Sequence, residues 1–266
     1  MGDRVPRPLH QRQKDAFSRF EPPRTMSNAS ILPLAPTAIH RLTSSQVIST
    51  LTTAVKELVE NSLDASASSI QIRFIAHGTD SITVADDGTG VEQNDWNGLG
   101  QKYQTSKLVS WQQLTGDTDH ACHPNGKQEE QARVQTFGFR GEALSSLCAV
   151  SDRVIITTAT NQTAPIGTIL PLTRTGTICV DSSSGGSKTA RQRGTTVVVH
   201  DLFAPLPVRR KELLRNAKRE YVKAIASLQA YALLSHGVRW NVIHHPGETG
   251  KEQETGKSKG RGGGSA

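Results

Sequence analysis

The chain has 266 residues, 35% of them hydrophobic and 21% charged, enough to bury a sizeable core in one domain or in one domain plus a fragment of another. No stretch approaches the roughly 20 consecutive apolar residues of a membrane span, and the opening MGDRVPRPLHQRQ lacks the apolar centre of a secretory signal, so an intracellular protein without membrane association is expected. The formal net charge of +7 favours polyanionic partners, nucleic acid or nucleotide phosphates, without choosing between them.

Residues 1–34 mix Arg, Lys, Pro, Ser and Gln without periodicity and read as a disordered basic arm. A mitochondrial presequence is the other reading of the arm, and Asp3, Asp15 and Glu21 count against it. Organised pattern runs from residue 35 to about 246. Leu51, Ala54, Val55, Leu58, Val59 and Leu63 recur at helical spacing and predict the first helix. SIQIRFIA and SITVADDG alternate apolar with polar residues on either side of HGTD, which predicts two strands and a tight connection. Further strands are expected at RVIITTAT, IGTIL, GTTVVVHDLF and GVRWNVIHH. A second long helix is expected over LLRNAKREYVKAIASLQAYALL, with Tyr221, Ile225, Leu228 and Ala232 on one stripe. Such a mixture points to an α+β domain with helices over one face of a mixed sheet. Polar stretches at 115–133 and 181–193 read as surface insertions, and the tail 247–266 as low-complexity and disordered. Cys122, Cys148 and Cys179 are odd in number and far apart, which argues against a disulfide framework.

Three segments carry chemistry. In KELVENSLDA, Glu57, Asn61 and Asp64 stand at i, i+4 and i+7 and share a helix face, roughly opposite the apolar stripe. Taken alone, that face is also what a solvated flank looks like. In VADDGTGV a strand ends in Asp86 and Asp87, followed by Gly88 and Gly90. A carboxylate at a strand end can accept a hydrogen bond from an exocyclic amine, and glycines let a flat ring approach the backbone, although an ordinary Asp-Gly turn reads the same way. In QTFGFRGEALSSL two glycines precede a helix-forming run, whose first N–H groups can hold an anion.

Together and in this order, KELVENSLDA, DDGTG and GFRGEALSSL resemble the nucleotide-binding motifs of the GHKL ATPases. TSK upstream of the third motif, GTTV downstream, and the runs GFRGEALSSLCAVSD, LFAPLPVRRKE and KREY are most similar to the PMS branch of the MutL homologues of DNA mismatch repair, over residues 37–240. The resemblance implies the two-layer α/β sandwich of the GHKL (Bergerat) type, with ATP and Mg²⁺ as ligands. It assigns Glu57 as the general base for attack on the γ-phosphate, Asn61 as the Mg²⁺ ligand and Asp86 as reader of the adenine amino group, with Gly88 and Gly90 shaping the base pocket. Asp87 stands where many relatives have Asn. Thr105, Ser106 and Lys107 resemble contacts on the phosphate side. Gly138, Phe139, Arg140, Gly141, Glu142, Ala143 and Leu144 resemble the lid and the helix start that encloses the phosphates, and Thr195 a supporting contact near the base.

A second MutL homologue, mismatch-recognition MutS homologues and DNA are the implied partners, and the nucleus the implied location. The basic run Arg209, Arg210, Lys211, Arg215, Lys218, Arg219 and Lys223 reads either as a DNA-phosphate surface or as a solvated helix face. His120, Cys122 and His123 match no zinc spacing. Recognisable sequence gives way to Gly/Ser/Lys-rich sequence near residue 245. There the family usually continues into a second domain whose lysine reaches the γ-phosphate, so a fragment, truncated product or incomplete gene model is expected. The alternative functional reading is a non-catalytic nucleotide- or DNA-binding fragment.

Overall fold

The computed structural model describes residues 33–104, 137, 141–179 and 186–247. The expected arm up to residue 32, the stretch 115–133, His120, Cys122, His123 and the tail beyond residue 247 lie outside the described residues. The helices are α1 Pro36–Val47, α2 Leu51–Asp64, α3 Ala143–Val150, α4 Pro207–Arg215 and α5 Ala217–Leu234. The strands are β1 Ser69–Ile75, β2 Ser81–Asp86, β3 Arg153–Ala159, β4 Ile166–Leu172, β5 Ser187–Ala190, β6 Gly194–His200 and β7 Arg239–His245. All seven join one sheet in the order β5-β4-β3-β6-β2-β1-β7. Every neighbouring pair is antiparallel except β1 and β7, so the sheet is mixed and the domain α+β, as expected.

The pairing register puts Ile70, Ile72 and Phe74 of β1 beside Asp86, Val84 and Ile82 of β2, and Val84 and Ile82 beside Val197 and Val199 of β6. Because side chains alternate along a strand, this row is a single face of the sheet, continued by Val154 and Ile156 of β3 and Leu170 and Leu172 of β4. It is buried together with Leu51, Ala54, Val55, Leu58 and Val59 of α2, Leu147, Cys148 and Val150 of α3, and Ala224 and Leu228 of α5. Each Leu, Ile, Val or Phe so buried contributes about 1.5–3 kcal/mol. The opposite face, with Arg73, Thr83, Ile155 and Val198, is half-buried or exposed. The polar end of the inner face, Asp86, Thr195 and Thr158, is where the sheet stops being core.

Local chemistry sets the ends of α2. The Thr50 hydroxyl caps its start, accepting from the Thr53 amide at 3.1 Å, and the Ala65 amide closes its last turn on the Asn61 carbonyl at 3.0 Å.

Three expectations change. The helix expected over 213–234 is broken at Asn216 (φ −110°, ψ 16°) into α4 and α5, and Tyr231 follows Leu228 on the packed stripe while Ala232 is exposed. The stretch 181–193 contains β5, a polar edge strand paired to β4. Arg209 and Arg210, grouped with the basic surface, are used inside the fold. The Arg210 guanidinium donates to the carbonyls of Thr79 (2.7 Å) and Leu202 (3.1 Å) and pairs with Asp201 (2.6 Å), and Arg209 donates to the Ser45 carbonyl. Lys211, Arg215, Lys218 and Arg219 remain exposed.

Among the described residues no helix is long and apolar enough to cross a membrane. Cys148 and Cys179 are free thiols, and burial pushes the Cys148 thiol up to about 12.

Candidate functional site

A cleft of about 1790 Å³ opens between α2, the ends of β2 and β6, the segment 89–104 and the start of α3. Glu57, Asn61, Asp86, Gly90, Gly141, Glu142, Ala143, Leu144 and Thr195 all line it. Gly88 stands just behind this wall, its amide donating to Asp86 Oδ1 at 3.0 Å. Thr105, Ser106, Lys107, Gly138, Phe139 and Arg140 lie outside the described residues.

Asp86 is the most constrained group. Oδ1 accepts the amides of Gly88 and Thr195, both at 3.0 Å, and Oδ2 accepts the Ser62 hydroxyl at 2.9 Å. A carboxylate offers about four acceptor positions, so Oδ2 keeps one beside the cleft. Burial raises its pKa above the ordinary 3.8; the donors from Thr195, Ser62 and Gly88 and the nearby Arg191 charge oppose the rise without cancelling it. Close approach is required on both flanks. At Gly90 (φ +75°) a Cβ would land on the Ala159 carbonyl, and at Gly194 (φ +124°) on that of Asp86.

Asp87 faces elsewhere. Its Oδ1 accepts the amides of Ser68 and Ser69, both at 2.8 Å, and its Oδ2 the Ser68 hydroxyl at 2.5 Å, so it staples the start of β1 to the end of β2. Partial burial acts to raise its pKa, but these donors outweigh it and hold the carboxyl below its usual range.

Three α2 carboxylates, Glu57, Glu60 and Asp64, reach the cleft. The Glu60 side chain is 8% exposed, takes Lys56 Nζ at 2.9 Å and accepts a hydrogen bond from the Tyr231 hydroxyl on α5. Burial and the Glu60 and Glu57 carboxylates push the Tyr231 phenol up. Glu57 is 24% exposed, with Lys56 Nζ 3.5 Å away. One helical turn on, Asn61 brings an amide oxygen to the same wall. Hard oxygen donors of this kind suit Mg²⁺, which keeps several ligand positions for water and phosphate. Among the described residues there is no group of three His, Cys, Asp or Glu that could hold a metal ion.

The far wall is the start of α3. Gly141 (φ +60°) precedes Glu142 and Ala143, and its carbonyl accepts the Tyr103 amide at 3.1 Å. Glu142, Ala143 and Leu144 line the cleft, so the helix start, a favourable place for an anion, stands at this wall.

The sequence profile described as "Histidine kinase-, DNA gyrase B-, and HSP90-like ATPase" matches residues 48–169, the segment from the start of α2 to β4. The chain is 44% identical over 223 residues to the DNA mismatch repair protein pms1 of Schizosaccharomyces pombe, and 42% identical over 237 residues to the mismatch repair endonuclease PMS2 of Homo sapiens. These alignments cover 84% and 89% of the chain. The chain belongs to the PMS branch of the MutL homologues, within the GHKL ATPase superfamily. It spans 25% of the length of each of those two relatives. A crystal structure of the N-terminal domain of a DNA repair protein superposes with a TM-score of 0.62 at 36% identity, covering 79% of this chain and 53% of that one.

Within this GHKL domain, several site residues were missed from sequence. Ser62 lies between Asn61 and the apolar Leu63, and nothing in that local pattern marks it as a donor to Asp86. Asp64 Oδ1 accepts the Phe137 amide at 2.8 Å, a link from α2 to a residue more than seventy positions on that no local pattern announces. Arg191 gave no signal in a Ser/Gly/Lys/Thr stretch. The pairing of Glu60 with Tyr231 joins residues too distant in sequence for any local pattern.

Proposed function

We propose that this domain binds and slowly hydrolyses ATP with Mg²⁺ as part of a nuclear mismatch-repair protein. The observation that carries the reading is the convergence of Glu57, Asn61, Asp86 and the α3 start on one cleft. In this reading Asp86 accepts the adenine amino group on its remaining Oδ2 position, and Thr195 and Gly88 fix that carboxylate. The triphosphate lies toward the first amides of α3. Asn61 holds Mg²⁺, which neutralises phosphate charge. Glu57, one helical turn before Asn61 on the same wall, accepts the proton of the attacking water. Lys107 and Arg140 are proposed on the phosphate side.

The similarity to mismatch-repair proteins of Schizosaccharomyces pombe and Homo sapiens supports a role in that process. A second MutL homologue, mismatch-recognition MutS homologues and DNA are the proposed partners, with DNA phosphates meeting Lys211, Arg215, Lys218 and Arg219.

The test is equilibrium binding of ATP with Mg²⁺ beside single-turnover hydrolysis, for the wild type and Glu57→Ala. Binding should change little, because the base acts on water in the transition state, while hydrolysis falls about 10²-fold or more. Wild-type turnover in Glu57→Ala would remove the assignment. Binding without hydrolysis in the wild type would favour the alternative, a non-catalytic nucleotide- or DNA-binding fragment.

A further inference from the structure

Arg191 lies between β5 and β6, three residues before Gly194, and its side chain converges on the β2–β6 junction behind Asp86 rather than on the cleft itself. Nη2 donates to the Asp86 carbonyl at 3.0 Å, Nε to the Gly194 carbonyl at 3.2 Å and Nη1 to Thr196 Oγ1 at 2.5 Å. Its own amide is held by the Pro165 carbonyl at 2.9 Å. The guanidinium therefore ties the end of β2 to the start of β6 through three acceptors. That junction is also where the Thr195 amide meets Asp86 Oδ1 and where Gly194 admits the Asp86 backbone without a Cβ between them.

We propose that Arg191 is a positioning residue for base recognition, holding the β2–β6 junction so that Asp86 presents its remaining acceptor position to an exocyclic amine. The inference rests on the reading of Asp86 as the adenine contact. A planar fork with five donors in fixed directions can span two carbonyls and a hydroxyl, whereas a lysine ammonium is a point charge on a flexible stem and cannot hold all three at once. Losing the fork leaves two strand-end carbonyls to find water and lets the junction open. Base recognition would suffer before phosphate binding does, since the phosphate side is built from other elements.

The experiment measures ADP and inosine diphosphate affinity by calorimetry, with Mg²⁺ present, for the wild type, Arg191→Met, Arg191→Lys and Thr196→Val. Inosine carries an oxo group where adenine carries the amine, so the ratio of the two affinities reports the Asp86 contact apart from phosphate binding. The wild type should prefer ADP by about tenfold or more, the worth of a hydrogen bond to a charged group. Arg191→Met should lose most of that preference through weaker ADP binding while inosine diphosphate is held as before, and Arg191→Lys should restore only part of it. If Arg191→Met does not fold, Thr196→Val, which removes one acceptor and keeps the strand residue's shape, must lower the ratio by a smaller factor.

Parallel weakening of both nucleotides, or an unchanged ratio with a lower melting temperature, would mean that Arg191 is merely structural and would overturn the proposal. A wild type that shows no preference would instead remove the Asp86 reading beneath it.

Discussion

Asp86 and Asp87 adjoin in sequence, yet their pKa values are shifted in opposite directions. Native Asp86 holds its proton more tightly than the unfolded chain does. Its contribution to stability is therefore greatest in acid and is lost as the pH rises from the unfolded value near 3.8 through the higher folded one. Asp87 has the reverse sign, stabilising fully above about 3.8 and losing that contribution as the pH falls through its depressed folded value. Asp86→Asn keeps an acceptor for Gly88 and Thr195 and can donate to the Ser62 hydroxyl. It should leave the melting temperature at neutral pH unchanged or higher, while weakening adenine-nucleotide binding about 10- to 100-fold by calorimetry. Asp87→Ala should cost roughly 1 kcal/mol at neutral pH, moderated by solvent, with the loss vanishing in acid, as urea unfolding across the acid range would record. The strand-end carboxylate was legible from DDG, because a charged residue ending an apolar alternation must meet donors. Which of the two faces the cleft follows from the pleat and the register against β6, and neither is written in the dipeptide.

At the scale of elements, α2 and six of the seven strands were readable because each alternates or repeats its apolar residues at the spacing of its own geometry. Helix α1 was not, since it buries Ser44 and Ser45 and leaves Ile39 and Leu42 47% and 54% exposed, so its sequence carries no apolar stripe toward the core. The edge strand β5 is mostly exposed and polar, which is how an edge resists further pairing and why it resembles a loop. The break at Asn216 falls at neither Gly nor Pro, so residues 213–234 read as continuous. It separates a helix anchored by arginines from one that offers its charges to solvent. Arg210→Ala should therefore destabilise by about 1–3 kcal/mol in urea unfolding, having left two carbonyls and Asp201 without their donor. Lys218→Glu should stay within about 0.5 kcal/mol of the wild type. If DNA binds this surface, Lys218→Glu should also flatten the dependence of log affinity on log salt, measured by fluorescence anisotropy across a salt series.

For the whole molecule, the cleft draws its walls from segments far apart in the sequence. α2, β2, β6 and α3 all contribute, and Glu60 reaches across to Tyr231 on α5. A ligand held by so many elements can bind only the assembled domain. ADP at about 100 times its dissociation constant should then raise unfolding stability by about 2.7 kcal/mol, a shift that calorimetric melting with and without nucleotide would detect.

The parallel pairing of β1 with β7 also bears on how the protein is made. Ser69 lies beside Arg239 and Ile75 beside His245, so a strand translated early gains its outer neighbour only when the last part of the domain has left the ribosome. Until then the nascent polypeptide presents an open, apolar edge carrying Ile70, Ile72 and Phe74, a template for pairing with other chains, and long-range contacts of this kind form slowly. Translation therefore passes through an interval in which chaperone shielding matters more than final stability. Chains released from the ribosome after Gly237, which keep α5 but lack β7, should pellet on centrifugation, whereas those released after His245 should remain in the supernatant.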